Sequence, residues 1–133
     1  MLQFQGRNIT SEFDLLRVKV QAIDYIKPIK FEETDLQKLA NLVYELAKEL
    51  IFNQADAYIC LNCYKLDRKK GLEMYLYNKN MSLEKALEAL INNCNLSKMG
   101  ISLGKNSGFL DKFELNKEVK SGIEINILKW SKS

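Results

Sequence analysis

With 133 residues, 47% of them hydrophobic and 28% charged, the chain has enough apolar material for one domain with a real core and too little for two. Its formal net charge of +3 comes from interspersed charges of both signs, and the densest basic cluster, Arg68-Lys69-Lys70, falls at an expected turn, so a nucleic-acid partner is not expected. The absence of histidine removes the commonest general base, the commonest zinc ligand and every Ser-His or Cys-His nucleophile pair.

Residues Met1 to Thr10 alternate polar and apolar side chains without the pattern of a signal peptide, and no apolar run approaches membrane-spanning length. A cytoplasmic protein without a membrane partner is expected. Leu2 and Phe4 alternating with Gln3 and Gln5 predict a short opening strand to about Ile9. Ser11, with Asp14 at the fourth position, opens a first helix in the manner of a capping box. That helix carries Phe13, Leu16, Val20 and Ile23 as its apolar stripe and stops at Pro28.

A second helix is predicted over Asp35 to Ile51, capped by Thr34 or Asp35. Leu36, Leu39, Val43, Leu46 and Leu50 form its apolar stripe, with Ala40 and Ala47 beside it. Glu45, Glu49 and Asn53 follow at four-residue steps and line another face if the helix reaches that far. On residue type alone this is a solvated polar face.

Two strands follow, about Ala57 to Tyr64 and Leu72 to Asn78, joined by residues 65–71. Tyr75 and Tyr77 fall on one face of the second strand and Leu72, Met74 and Leu76 on the other, so the sheet has a buried and a wetter side. Cys60 and Cys63 lie on opposite faces of the first strand, which argues for reduced thiols rather than a metal clamp. Ser82 caps a third helix with Leu83, Ala86, Leu87, Leu90 and Ile91 inward. Residues 92–108 are rich in Asn, Ser and Gly and read as an irregular segment, either mobile or in contact with a ligand, with a short helix over Asn106 to Lys112. Strands over Phe113 to Val119 and Ile123 to Lys129 close the chain through a hairpin at Lys120-Ser121-Gly122. The order β-α-α-β-β-α-β-β predicts an α+β two-layer sandwich.

That order resembles the GHKL (Bergerat) ATPase fold of gyrase, histidine-kinase and MutL-type domains, and more narrowly the anti-sigma-factor serine kinases of partner switching, the stressosome switch kinases among them. The resemblance spans nearly the whole chain. It rests on Phe31 and Asp35, Glu45-Leu46-Ala47, Lys69-Lys70-Gly71-Leu72, Asp111 and Phe113, Leu115-Asn116, and Gly122 through Glu124-Ile125 to Lys129-Trp130. It implies a mixed sheet with helices on one face, a magnesium–ATP site, a regulatory protein partner (an antagonist domain, a phosphatase regulator or a sigma factor), and is compatible with a homodimer.

The family's helix carries Glu-x-x-x-Asn, the acid acting on the attacking hydroxyl and the amide helping to hold magnesium. Here Glu45 stands at the acid and Glu49 at the amide. A carboxylate still suits magnesium; without a metal, a charge about 4 Å from a phosphate oxygen costs roughly 4 kcal/mol at an effective dielectric near 20. The family's Asp-x-Gly-x-Gly, which reads adenine, becomes Asn78-Lys79-Asn80-Met81-Ser82, keeping an acceptor at Asn78 and losing both glycines, one of them to Asn80. The phosphate-cradling lid corresponds to Met99 through Gly108, with Gly100, Gly104 and a phosphate-facing Lys105. The resemblance therefore implies a pseudokinase: a stress-response regulator that works by protein binding, with a degenerate ATP site and no bound cofactor. The alternative it leaves open is an active serine kinase with Glu45 as base, Glu49 on magnesium and Asn78 on adenine.

Overall fold

The computed structural model describes residues 1–103, 108–117 and 122–131 of the chain. Its elements are β1 (Leu2–Gln5), α1 (Glu12–Ile26), α2 (Glu33–Leu46), β2 (Ala57–Leu66), β3 (Lys69–Asn78), α3 (Leu83–Asn92), β4 (Lys112–Lys117) and β5 (Ile123–Trp130). The strands form one sheet in the order β1-β2-β3-β5-β4. All four ladders are antiparallel, which corrects the expected mixed sheet. The crossover through α3 does leave β3 and β4 pointing the same way, but β5 inserts between them, so no adjacent pair is parallel.

Period-two alternation decides which face is buried. Ile59 and Leu61 on β2, Leu72, Met74 and Leu76 on β3, and Ile123, Ile125 and Ile127 on β5 are buried, while Glu73, Tyr75 and Tyr77 between them face the wetter side. There Tyr58 meets Tyr75 and Tyr77 with ring centroids 6.0 and 5.6 Å apart. The helical layer covers the apolar side. The predicted stripe of α2 is buried in full from Leu36 to Leu50, joined by Leu42 and Ile51, and each such side chain contributes about 1.5–3 kcal/mol of burial. The helix starts at Glu33 after Glu32, so Thr34 and Asp35 are not caps; Glu33 and Asp35 instead place negative charge in its first turn.

Helix α1 is rotated from its expected orientation. Leu15, Val18, Ala22 and Ile26 are buried, Ile23 is half-buried, and Phe13, Leu16 and Val20 are 69%, 55% and 58% exposed. Both rows have three-and-four spacing, so periodicity does not choose between them. Tyr25, one turn beyond Ala22, fixes the choice in space by accepting a hydrogen bond from the Cys63 backbone N–H at 3.2 Å, which ties this side of α1 to the sheet. The start is as expected: Ser11 Oγ accepts from Asp14 N at 3.1 Å, and the Asp14 carboxylate accepts from Thr10 N at 3.1 Å. The bond from Thr10 N first, and then the Ser11 side chain, hold the Asp14 carboxyl below the usual range.

Several boundaries also move. The opening strand ends at Gln5, because Gly6–Asn8 forms a 3-10 turn. A Cβ on Gly6 would lie 2.2 Å from Ile51 O, so only glycine allows this approach to the end of α2. The β2–β3 connection is a two-residue turn at Asp67-Arg68, with Asp67 at φ 55°, rather than the expected seven-residue link. On α3, Ala86 and Leu90 are buried but Ile91 is 67% exposed. The helix expected from Asn106 to Lys112 is absent over 108–112, where Gly108 bridges Ile101 and Lys112 begins β4; Asn106 and Ser107 lie outside the described residues. So do Glu118 to Ser121, the end of the predicted strand and part of the closing hairpin. Among the described residues no helix is long and apolar enough to cross a membrane.

Candidate functional site at the end of α2

Past Leu46 the helix widens into a π-helical turn, Ala47–Ile51, closed by the Phe52 N–H on Ala47 O at 2.8 Å. The widened turn ends the regular four-residue step. Asn53 is therefore not on the Glu45 face; it is exposed in left-handed geometry, and its N–H reaches Ile9 O at 2.8 Å and Gly6 O at 3.1 Å. Glu45 and Glu49 remain together, both half-buried.

Lys48 stands between them. Its Nζ lies 3.3 Å from Glu45 Oε2 and 3.9 Å from Glu49 Oε1. Burial pulls the lysine's pKa down, but the two carboxylates outweigh it and hold the ammonium above the ordinary lysine range. Glu45 Oε2 is shielded from solvent and, despite the ion pair, makes no hydrogen bond of proper geometry among the described residues. Cys94 lies beneath, fully buried, its Sγ 3.8 Å from Glu45 O. Burial first, then Glu49 and Glu45, push its thiol up to about 12, so it stays protonated and unreactive near neutral pH.

Asn78 closes the same corner from the end of β3. It is fully buried; its Nδ2 donates to Leu50 O at 2.7 Å and its Oδ1 accepts from Asn80 N at 3.0 Å. Both ends of the carboxamide thus serve the fold, one pinning the π-helical turn and the other forming an Asx turn. Asn80 is exposed and is not among the residues with positive φ, and Ser82 has φ −74°, so these two positions carry no left-handed strain. Ser82 is the helix cap its type suggested, its Oγ accepting from Lys85 N at 3.2 Å.

The segment after α3 is irregular, as expected, yet its near half is anchored: Cys94, Leu96, Met99 and Ile101 are all buried. Gly100 takes φ 72° and its carbonyl accepts from Phe109 N at 2.9 Å. Gly104 and Lys105 lie outside the described residues. On the return, Lys38 of α2 and Lys129 of β5 lie 4.9 and 4.3 Å from the Phe109 ring centre.

Asn78 is tied to Leu50 O, one residue past Glu49, and Lys48 and Cys94, which the motif reading missed, adjoin the two acids. Lys48 was legible as a cation three residues after Glu45 on a helix; nothing in the sequence pointed to Cys94. The fit to magnesium–ATP is poor at the described residues. The position that would hold magnesium faces an ammonium 3.9 Å away, and the position that would read adenine is buried with its amide engaged. Among the described residues no three Asp, Glu or Cys side chains converge as metal ligands. Searches against protein-family models and curated proteins give no match.

Proposed function

We propose that this chain is a partner-switching regulatory protein of the anti-sigma-factor serine kinase kind, built on a GHKL-type scaffold and acting in the cytoplasm by protein binding. The element order and the acidic end of α2, joined to the β3–α3 junction through Asn78 and Leu50, support the reading. The observation that carries it is Asn78, whose carboxamide is buried and engaged by Leu50 and Asn80. The partner is an antagonist domain, a phosphatase regulator or a sigma factor. Calorimetric titration with magnesium and ATP is expected to give no heat of binding. Micromolar binding together with phosphate transfer to a partner serine rejects the proposal.

One observation favours an active serine kinase as the second reading. Glu45 Oε2 makes no hydrogen bond of proper geometry among the described residues, and a substrate hydroxyl that displaced Lys48 Nζ, 3.3 Å away, would meet this acid as its base. In that reading Glu45→Gln abolishes turnover and leaves the fold intact; turnover that survives the change removes Glu45 from the chemistry.

A further inference from the structure

The β2–β3 hairpin projects past the rest of the sheet. β1 pairs with β2 only as far as Leu61, the β3–β5 ladder ends at Gly71 with Ser131 bonded to Lys70 O just beyond it, and every residue from Asn62 to Lys70 is exposed. Within this tip, Lys65, Arg68, Lys69 and Lys70 face a single acid, Asp67. The other residues of the chain divide into sixteen basic and sixteen acidic, so the formal charge of +3 is carried entirely by the hairpin tip.

Two of these cations oppose one another. Lys65 and Lys70 are directly across the ladder, on the face that carries Leu61 and Leu72 nearer the core. Like charges in that arrangement destabilise a hairpin. Neither ammonium pairs with a carboxylate among the described residues. Between them and the α1–α2 connection lies a pocket of about 200 Å³, lined also by Pro28, Ile29, Cys63 and Tyr64. An apolar hollow lined by two lysines that no carboxylate compensates fits an apolar side chain flanked by carboxylates. A nucleic-acid backbone would satisfy the lysines and leave the hollow empty. A bilayer calls for several large apolar side chains standing proud, and the tip offers two, Leu66 at 50% exposed and Tyr64 at 36%, the latter packed against Trp130.

We infer that the base of the β2–β3 hairpin is a docking site for an acidic segment of a partner protein, one apolar side chain entering the Pro28–Cys63 pocket and neighbouring carboxylates meeting Lys65 and Lys70. This names the chemistry of a partner and so rests on the regulatory reading. It uses none of the α2 corner, so the nucleotide titration and the following experiment can fail separately.

The probe is a fluorescein-labelled pool of octapeptides in which one Leu, Ile or Phe sits among Asp and Glu. The comparison probes are the same pool with Asn and Gln, a DNA duplex, and phosphatidylserine vesicles. Saturable binding of the acidic pool is expected, weakened about tenfold or more in the Lys65→Glu, Lys70→Glu double variant. Because that variant alters a strand pair, a second readout uses the unaltered protein: the acidic pool should slow modification of Cys63 by a thiol reagent, scored by mass spectrometry. Binding of the neutral pool with equal affinity, no binding of the acidic pool, unchanged Cys63 modification, or binding of DNA or vesicles alone each overturns the proposal.

Discussion

At the scale of single residues, Asn78 separates two readings that coincide in the sequence. An asparagine where the proposed GHKL-type motif carries aspartate looks like a weakened adenine contact, and on that view Asn78→Asp supplies the motif's acid and improves nucleotide binding. The structure predicts otherwise. Aspartate has no N–H for Leu50 O, which now lies 2.7 Å from Nδ2, and it would set a buried carboxylate against a carbonyl oxygen. We expect Asn78→Asp to lower unfolding free energy by about 3 kcal/mol and to give no magnesium–ATP binding, measured by urea denaturation and calorimetry. Asn78→Ala leaves Leu50 O and Asn80 N without these partners, at about 1–3 kcal/mol. Glu45 and Glu49 were legible because side-chain spacing on a helix is local. The use of Asn78 was not, since its main partner lies 28 residues away across a buried corner.

At the scale of elements, α1 and α2 show when apolar spacing suffices. In α2 the residues opposite the stripe are Glu33, Gln37, Asn41 and Lys48, so one face alone can be buried. α1 offers two rows, Phe13-Leu16-Val20-Ile23 and Leu15-Val18-Ala22-Ile26, and the same spacing rule accepts both. What decides is long-range, the sheet on which Tyr25 meets Cys63. A pair of truncations one residue apart tests the rotation. Leu15→Ala removes a buried side chain and should cost about 2–5 kcal/mol. Leu16→Ala alters one that is 55% exposed and should stay within about 0.5 kcal/mol of the parent. Equal costs, or the reverse order, would place the expected stripe inward after all. The hairpin has a related lesson: apolar alternation fades after Leu61 because every later residue of β2 is exposed, so pattern ended the strand early while the ladder continues to Leu66.

At the scale of the whole molecule, the question is whether helices and sheet form one cooperative unit. One apolar cluster includes Leu15 and Val18 of α1, Leu39 and Leu46 of α2, Ile59 and Leu61 of β2, Leu76 of β3, Leu90 of α3, Phe113 of β4 and Ile125 of β5. No helix buries its stripe without the sheet, and the sheet's apolar face has no other cover, so neither layer is stable alone. The sole tryptophan reports from the far corner of that unit. Trp130 lies across Gly71, where a Cβ would come within 2.8 Å of its ring, and its ring centre is 5.5 Å from that of Tyr64. A ring held in place by a glycine and a neighbouring aromatic loses this environment once β3 and β5 separate. We therefore expect Trp130 fluorescence and the far-ultraviolet circular dichroism of the helices to give coincident urea transitions with one midpoint. A fluorescence transition that precedes the loss of helix would mean that the end of the sheet bearing the hairpin opens on its own. The cluster argues against that outcome, because Leu72 and Ile127 are buried one and three residues from the Gly71–Trp130 pair, within the same core that holds α2.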